Sequence, residues 1–176
     1  MQTGETAKYC APDFRTSPGG STDNRGSMIQ LNLPPFEMRL AGTAQRPQIF
    51  DVLRHRFVAL TPEEWVRQHF VHFLIGRLGY PMALMANEVA LSVGNKSLRA
   101  DSVLYDRTLR PRMIIEYKAP SVALTARVFE QIAAYNTLLH VDYLVVSNGL
   151  AHYCFKADEA TGSFTQLAEI PAYDAL

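Results

Sequence analysis

The chain has 176 residues, 48% of them hydrophobic, which suits one domain around one substantial core. Lysine plus arginine and aspartate plus glutamate each number 17, so the chain as a whole exerts no net pull on nucleic acid, and no apolar run approaches the roughly 20 residues a membrane helix needs. Two cysteines, Cys10 and Cys154, and no N-terminal apolar signal region predict a soluble protein of the reducing cytoplasm with no membrane partner.

Charge is unevenly spread. Residues 45–127 hold 12 basic side chains against 7 acidic ones, whereas residues 128–176 hold one base, Lys156, against six acids. An electropositive patch is therefore expected on the central segment.

Residues 1–27 are rich in Gly, Ser, Thr, Pro and Asp without any period, and read as a disordered leader, or an extension preceding a start at Met28. Residues 28–60 hold N-terminal strands. After Pro34-Pro35, a short strand is expected over Phe36–Leu40, then two more over Gln48–Asp51 and Phe57–Leu60. The last two flank the basic turn Arg54-His55-Arg56, whose cations are either contacts to a DNA backbone or a solvated hairpin tip.

A core is expected over 61–176. Thr61-Pro62-Glu63-Glu64 is a helix start, with Thr61 as N-cap, Pro62 in the first helical position and Glu64 where a capping box places its acid. The helix should run to about Leu78, stopped by Gly79 and Pro81. Val66, Phe70, Phe73 and Leu74 form its apolar stripe, widened by Trp65, Val71 and Ile75. His69 and His72 lie three apart, but without the glutamate of a zinc-protease motif they are expected to pack rather than to bind metal.

Strands follow over Leu84–Val93 and Ser97–Tyr105, joined by a Gly94-Asn95 turn. Gly94-Asn95-Lys96-Ser97 lacks the upstream glycine of a phosphate-binding loop, so no ATP-driven motor is expected. Asp106–Arg110 turns into the central stretch Arg112–Pro120, R-M-I-I-E-Y-K-A-P. Met113, Ile114 and Ile115 read as a strand buried on both faces. In a strand, residues i and i+2 share a face roughly 6 to 7 Å apart, so Glu116 and Lys118 point together and Tyr117 points away. An acid and a base are thus presented side by side at the end of a core strand, before Pro120 stops the ladder. That is either the mouth of a cleft or a surface ion pair on an edge strand.

A second helix is expected over Val122–Leu139, with Leu124, Val128, Ile132, Tyr135 and Leu139 as its apolar face. Gln131 stands at the edge of that face beside Arg127 and Tyr135, either reaching a strand end or solvated. Asp142–Val146 should return parallel to the central strand, Asn148-Gly149 should make a two-residue hairpin into Leu150–Phe155, and Ser163–Leu167 is a peripheral strand.

Four motifs then occur in order: L-T-P-E-E-W-V-R-Q at Leu60–Gln68, R-A-D at Arg99–Asp101, I-E-Y-K-A-P at Ile115–Pro120 and Q-I-A-A-Y-N at Gln131–Asn136. Over roughly Leu31–Phe155 the chain resembles the N-terminal nuclease domain of type I restriction enzyme R subunits, within the PD-(D/E)XK nuclease superfamily. Ala100 stands where the name-giving motif has proline. The resemblance implies an α/β, restriction-endonuclease-like core, a central mixed β-sheet flanked by helices in the order α-β-β-β-α-β. It implies hydrolysis of DNA phosphodiesters in restriction of foreign DNA, without ATP, since the helicase-like motor of a full R subunit is not part of this chain.

The same resemblance implies magnesium, or manganese in its place, held by Asp101, Glu116 and the carbonyl of Tyr117. Lys118 would orient the attacking water or neutralise developing charge, and Gln131 would position Lys118 or a phosphate oxygen. Glu64 is the expected first-helix acid, with its capping-box role as the alternative. Arg67 either pairs with Glu63 one turn earlier or faces the site. Candidate DNA contacts are Arg54, Arg56, Arg67, Arg99 and Arg127; Glu88 falls outside the expected set. Two other readings stay open: a catalytically silent DNA-binding or assembly module working with restriction-complex subunits, and a nuclease for junctions or damaged DNA. A double-strand break by one site per chain requires a homodimer or two events.

Overall fold

The computed structural model describes residues 29–93, 96–158 and 160–176, so the expected leader and the Gly94-Asn95 turn lie outside the described residues. A three-stranded antiparallel sheet comes first: β1 (Leu40–Thr43), β2 (Arg46–Asp51) and β3 (Arg56–Ala59). Helix α1 (Pro62–Leu78) leads to β4 (Met85–Val93), β5 (Lys96–Tyr105) and β6 (Pro111–Tyr117). Helix α2 (Ala126–Leu139), β7 (Tyr143–Ser147), β8 (His152–Ala157) and β9 (Phe164–Leu167) complete a six-stranded mixed sheet of order β4-β5-β6-β7-β8-β9. Among the described residues only the β6–β7 pairing, bridged by the α2 crossover, is parallel. The meander and the parallel return follow the sequence expectation.

The central strand is sandwiched. Met113, Ile115 and Tyr117 pack with Val66, Phe70 and Leu74 of α1, while Ile114 packs with Val128 and Ile132 of α2. The two helices therefore cover opposite faces of β6, as the alternation of strand side chains demands. Phe70, Leu74 and Ile115 are each 0% exposed, worth about 2 kcal/mol apiece in transfer free energy. Thr61 Oγ1 accepts the Glu64 N–H at 3.0 Å, and Gly79, at φ 72, closes α1 with its N–H on the Leu74 carbonyl.

Three boundaries differ from expectation. The first strand starts at Leu40, because Phe36 stacks on His72 of α1 with ring centroids 4.0 Å apart. Helix α2 starts at Ala126, because the Val122 carbonyl, which the first helical turn would have used, accepts from Asn148 Nδ2 at 2.9 Å. The β7–β8 connection has four residues rather than two: Asn148 Oδ1 accepts the N–H groups of Leu150 and Ala151. The segment before β1 is tied to this loop by Leu31 beside Gly149, by the Asn32 N–H on the Gly149 carbonyl and by Asn32 Nδ2 on the Leu150 carbonyl. Among the described residues no helix is long and apolar enough to cross a membrane.

Candidate active site

The β5–β6 ladder runs out at Ser102↔Ile115, and the next residue of β5 is Asp101. Its Oδ2 accepts the backbone N–H of Tyr117 at 2.9 Å, so a side-chain oxygen takes over where backbone pairing stops. On the other flank the Lys118 N–H donates to the Ser147 carbonyl at 2.9 Å. The end of β6 is thus fixed from both neighbours.

Glu116 and Lys118 share a face, as the strand period predicts. Lys118 Nζ lies 2.7 Å from Glu116 Oε1, and Gln131 Nε2 of α2 donates to that same oxygen at 3.0 Å. Gln131 Oε1 stands 3.5 Å from Nζ. Glu116 is only 4% exposed, and burial, then the neighbouring Asp101 and Glu63, push its carboxyl above the usual range against the pull of Lys118. Burial alone would lower the Lys118 ammonium; the Glu116 hydrogen bond and the charges of Glu116, Glu63 and Asp101 carry it upward instead.

Behind this group lies a second, denser one. Arg67 of α1 is 3% exposed and forks between carboxylates: Nη2 sits 2.9 Å from Asp101 Oδ1, and Nη1 sits 3.1 Å from Glu64 Oε2 and 3.2 Å from Glu88 Oε1. Arg54, from the β2–β3 turn, places Nη2 2.9 Å from both Glu64 oxygens and also pairs with Asp51. Gln68 Nε2 adds a 2.8 Å bond to Glu64 Oε1. Asp51, fully buried, further accepts from Asn87 Nδ2, so the three-stranded sheet is fastened to the main sheet beside Asp101.

Asp101, Glu116, Lys118 and Gln131 are therefore brought together. Glu64 is not with them. Its carboxylate is saturated by Arg54, Arg67 and Gln68, and the reciprocal half of a capping box is not formed either, since the Thr61 N–H donates to the Ala59 carbonyl. Glu63 takes the expected position: its Oε1 lies 3.9 Å from the same Arg67 Nη2 that holds Asp101. Burial and then Asp101 raise its carboxyl, against Arg67 and Lys118. The signal was the i, i+4 spacing of Glu63 and Arg67, which turns both toward Asp101.

Glu88 was missed outright. It sits at φ 55 within β4, between the pairs Asn87↔Ser102 and Val89↔Ala100, and hence across from Asp101. A left-handed non-glycine residue costs roughly 1–2 kcal/mol, here offset by contacts to Arg67, Arg54 and Arg99. No sequence pattern announces such a residue.

The expected DNA contacts divide. Arg54 and Arg67 are withdrawn into ion pairs and present no open guanidinium, which corrects the expectation for both. Arg99 is 65% exposed beside Glu88 at 3.6 Å, and Arg56 and Arg127 are exposed. His69 and His72 pack against Phe36, and His69 also against Trp65, as expected of packing residues.

Asp101, Glu116 and the Tyr117 carbonyl offer hard oxygen donors of the kind magnesium selects, and the burial and like charge stressing Glu116 are what a cation relieves. Among the described residues no three His, Cys, Asp or Glu side chains form a metal-holding group, and two carboxylates with one carbonyl would hold magnesium only with waters in its remaining positions. The donors fit the ion on those terms.

The family described as type I restriction enzyme R protein N terminus (HSDR_N) matches residues 62–171, well over half of the chain. The chain belongs to this family. A solved fragment assigned as an HsdR subunit of a type I restriction enzyme from Vibrio vulnificus YJ016 is similar over 66% of this chain, at 20% identity and a TM-score of 0.47. The chain spans 24% of that protein's length. No curated protein matches. The HSDR_N match runs from the start of α1 to beyond β9, and so includes every residue of both charged groups except Asp51 and Arg54.

Proposed function

We propose that this HSDR_N domain is a magnesium-dependent endonuclease of the PD-(D/E)XK type, acting on DNA in restriction of foreign DNA, with manganese able to substitute. The observation that carries the reading is the convergence of Asp101, Glu116, Lys118 and Gln131 at the end of β6. A bound magnesium would supply an activated water and neutralise charge on the scissile phosphate. Asp101 is pre-set for such an ion by the Tyr117 N–H and Arg67, which fix both of its oxygens while leaving lone pairs over. Lys118 is a compact cation whose Nζ is held by Glu116 within reach of Gln131, so it would orient the attacking water or meet negative charge as it develops. Glu63, 45% exposed, would stand at the mouth as a further carboxylate. Incubation with plasmid and magnesium or manganese should give cleavage; cleavage that survives Lys118→Ala and Asp101→Asn together refutes the assignment.

The rival is a silent DNA-binding or assembly module that acts with restriction-complex subunits. The Arg67–Asp101 and Lys118–Glu116 pairs favour it, since both pairs already neutralise the groups the chemistry needs. Thermal melting separates the two: a catalytic site should gain stability with magnesium, and an unshifted melting curve supports the rival. A junction or damage nuclease would share the chemistry and be told apart by comparing supercoiled, linear, single-stranded and branched substrates.

A further inference from the structure

We infer that the outward face of the β1–β3 sheet is a track for the sugar-phosphate backbone of duplex DNA, leading to the site at the end of β6; this rests on the DNA reading above. Strand register sorts the two faces. Ile49 and Asp51, both 0% exposed, turn inward. The alternate residues turn outward: Phe50↔Phe57, Gln48↔Ala59 and Arg46↔Thr43 are cross-strand pairs on that face. Arg39 joins them, its guanidinium carbon 4.2 Å above the Phe50 ring and 5.7 Å from Phe57, the two rings 5.4 Å apart.

Charge complementarity selects the partner. From Arg39 to Leu60 the only acid is Asp51, buried and bonded to Leu53, Arg54 and Asn87. Arg39 and Arg46 are exposed and pair with no carboxylate among the described residues, whereas Arg56, opposite Asp51 in register, belongs to the other face. A surface carrying cations without anions on an otherwise neutral chain suits a polyanion. Arg39 has its guanidinium over an aromatic ring, a contact that leaves its N–H groups unspent on any acid. Because Arg39 caps Phe50, the rings are no open platform for stacking bases, so a paired backbone is favoured over single strands. Position agrees: a relay of Arg54–Glu64, Glu64–Arg67 and Arg67–Asp101 contacts at 2.9, 3.1 and 2.9 Å ties the β2–β3 turn to the candidate site.

Binding of a labelled duplex is measured by fluorescence anisotropy in EDTA, where no cutting interferes, across about 50 to 200 mM salt. The Arg39→Ala/Arg46→Ala variant alters exposed residues and should melt like the wild type. It should bind about tenfold more weakly at low salt, with a log K against log salt slope shallower by about 2, near 0.9 per lost phosphate contact. Arg39→Lys should fall between the two. The inference is overturned by an unchanged slope, by absence of duplex binding in the wild type, by equal displacement with polyglutamate, or by a variant that merely converts a dimer to a monomer in sedimentation. Wild-type binding without cleavage in magnesium would instead sink the nuclease reading and leave the track standing.

Discussion

Replacing Arg67 by methionine keeps the length of the side chain and removes its charge. The guanidinium is 3% exposed and contacts Asp101, Glu64 and Glu88 at 2.9 to 3.2 Å, with Glu63 at 3.9 Å. Removing one partner of a buried ion pair costs roughly 3–5 kcal/mol, because the remaining charge is stranded. Here the stranded groups keep other donors: Glu64 retains Arg54 and Gln68, Asp101 retains the Tyr117 N–H, and Glu88 retains Arg54 and Arg99. The loss should therefore fall at the lower end, about 3 kcal/mol, or a melting point about 6 to 12 °C lower for a domain of this size. Arg67→Lys, which keeps a charge but not the fork, should lose less. Urea denaturation at neutral pH measures both. A loss below about 1 kcal/mol for Arg67→Met would refute the claim that this cation holds the carboxylates together.

Further outcomes follow from the same contacts. Glu116→Gln removes a carboxylate whose charged form the folded state disfavours, so it should raise the melting temperature at neutral pH by about 2 °C while abolishing cleavage; a lower melting point would mean that the Lys118 pair outweighs burial. His152 is 5% exposed, bonded to Ser147, and pushed by burial from 6.5 down to about 4, so the stability it contributes is complete above pH about 6.5 and drains away as pH falls through about 4. That amounts to roughly 3 kcal/mol, and His152→Gln should flatten the fall in urea midpoints over this range. Gly149, at φ 80, faces Leu31 Cδ2 at 2.7 Å from where a Cβ would stand, so Gly149→Ala should cost about 1–2 kcal/mol, mostly from backbone strain because the leucine tip can shift. An unchanged midpoint would refute it.

The sequence spoke clearly where one local rule governed. The Thr61-Pro62 start and Gly79 stop of α1, the buried run Met113–Ile115 and the shared face of Glu116 and Lys118 all follow from short-range periodicity and capping, and all are present. Gln131 was legible as an edge residue of α2 because helical spacing set its side, and β6 supplied the partner. What stayed hidden depended on distant partners. Whether Glu63 or Glu64 faces Asp101 is decided by Arg54, which arrives from a hairpin ten residues earlier and captures Glu64. Arg54 and Arg67 looked like surface cations because Glu88 and Asp101, which join the nearby Asp51, Glu63 and Glu64 around the two arginines, arrive from the distant strands β4 and β5. The start of α2 moved because Asn148, from the far side of the helix in sequence, claimed the Val122 carbonyl.

The two charged groups are best understood as one uneven balance. Among the described residues, four cations, Arg54, Arg67, Arg99 and Lys118, face six carboxylates, Asp51, Glu63, Glu64, Glu88, Asp101 and Glu116. The imbalance is not shared equally. Glu88, crowded by three arginines, is held below the usual carboxylate range once their pull outweighs burial. Glu63 and Glu116 are pushed above it, by burial first and then by Asp101. The carboxylates least favoured in their charged form, Glu63 and Glu116, are thus the neighbours of Asp101 at the end of β6, with Lys118 as the nearby ammonium. A fold selected for stability alone would gain by neutralising Glu116, as amide replacement tests. An acid kept there at a cost is what the proposed divalent-cation site would require, and this support comes from the electrostatics of these side chains rather than from the family to which the chain belongs.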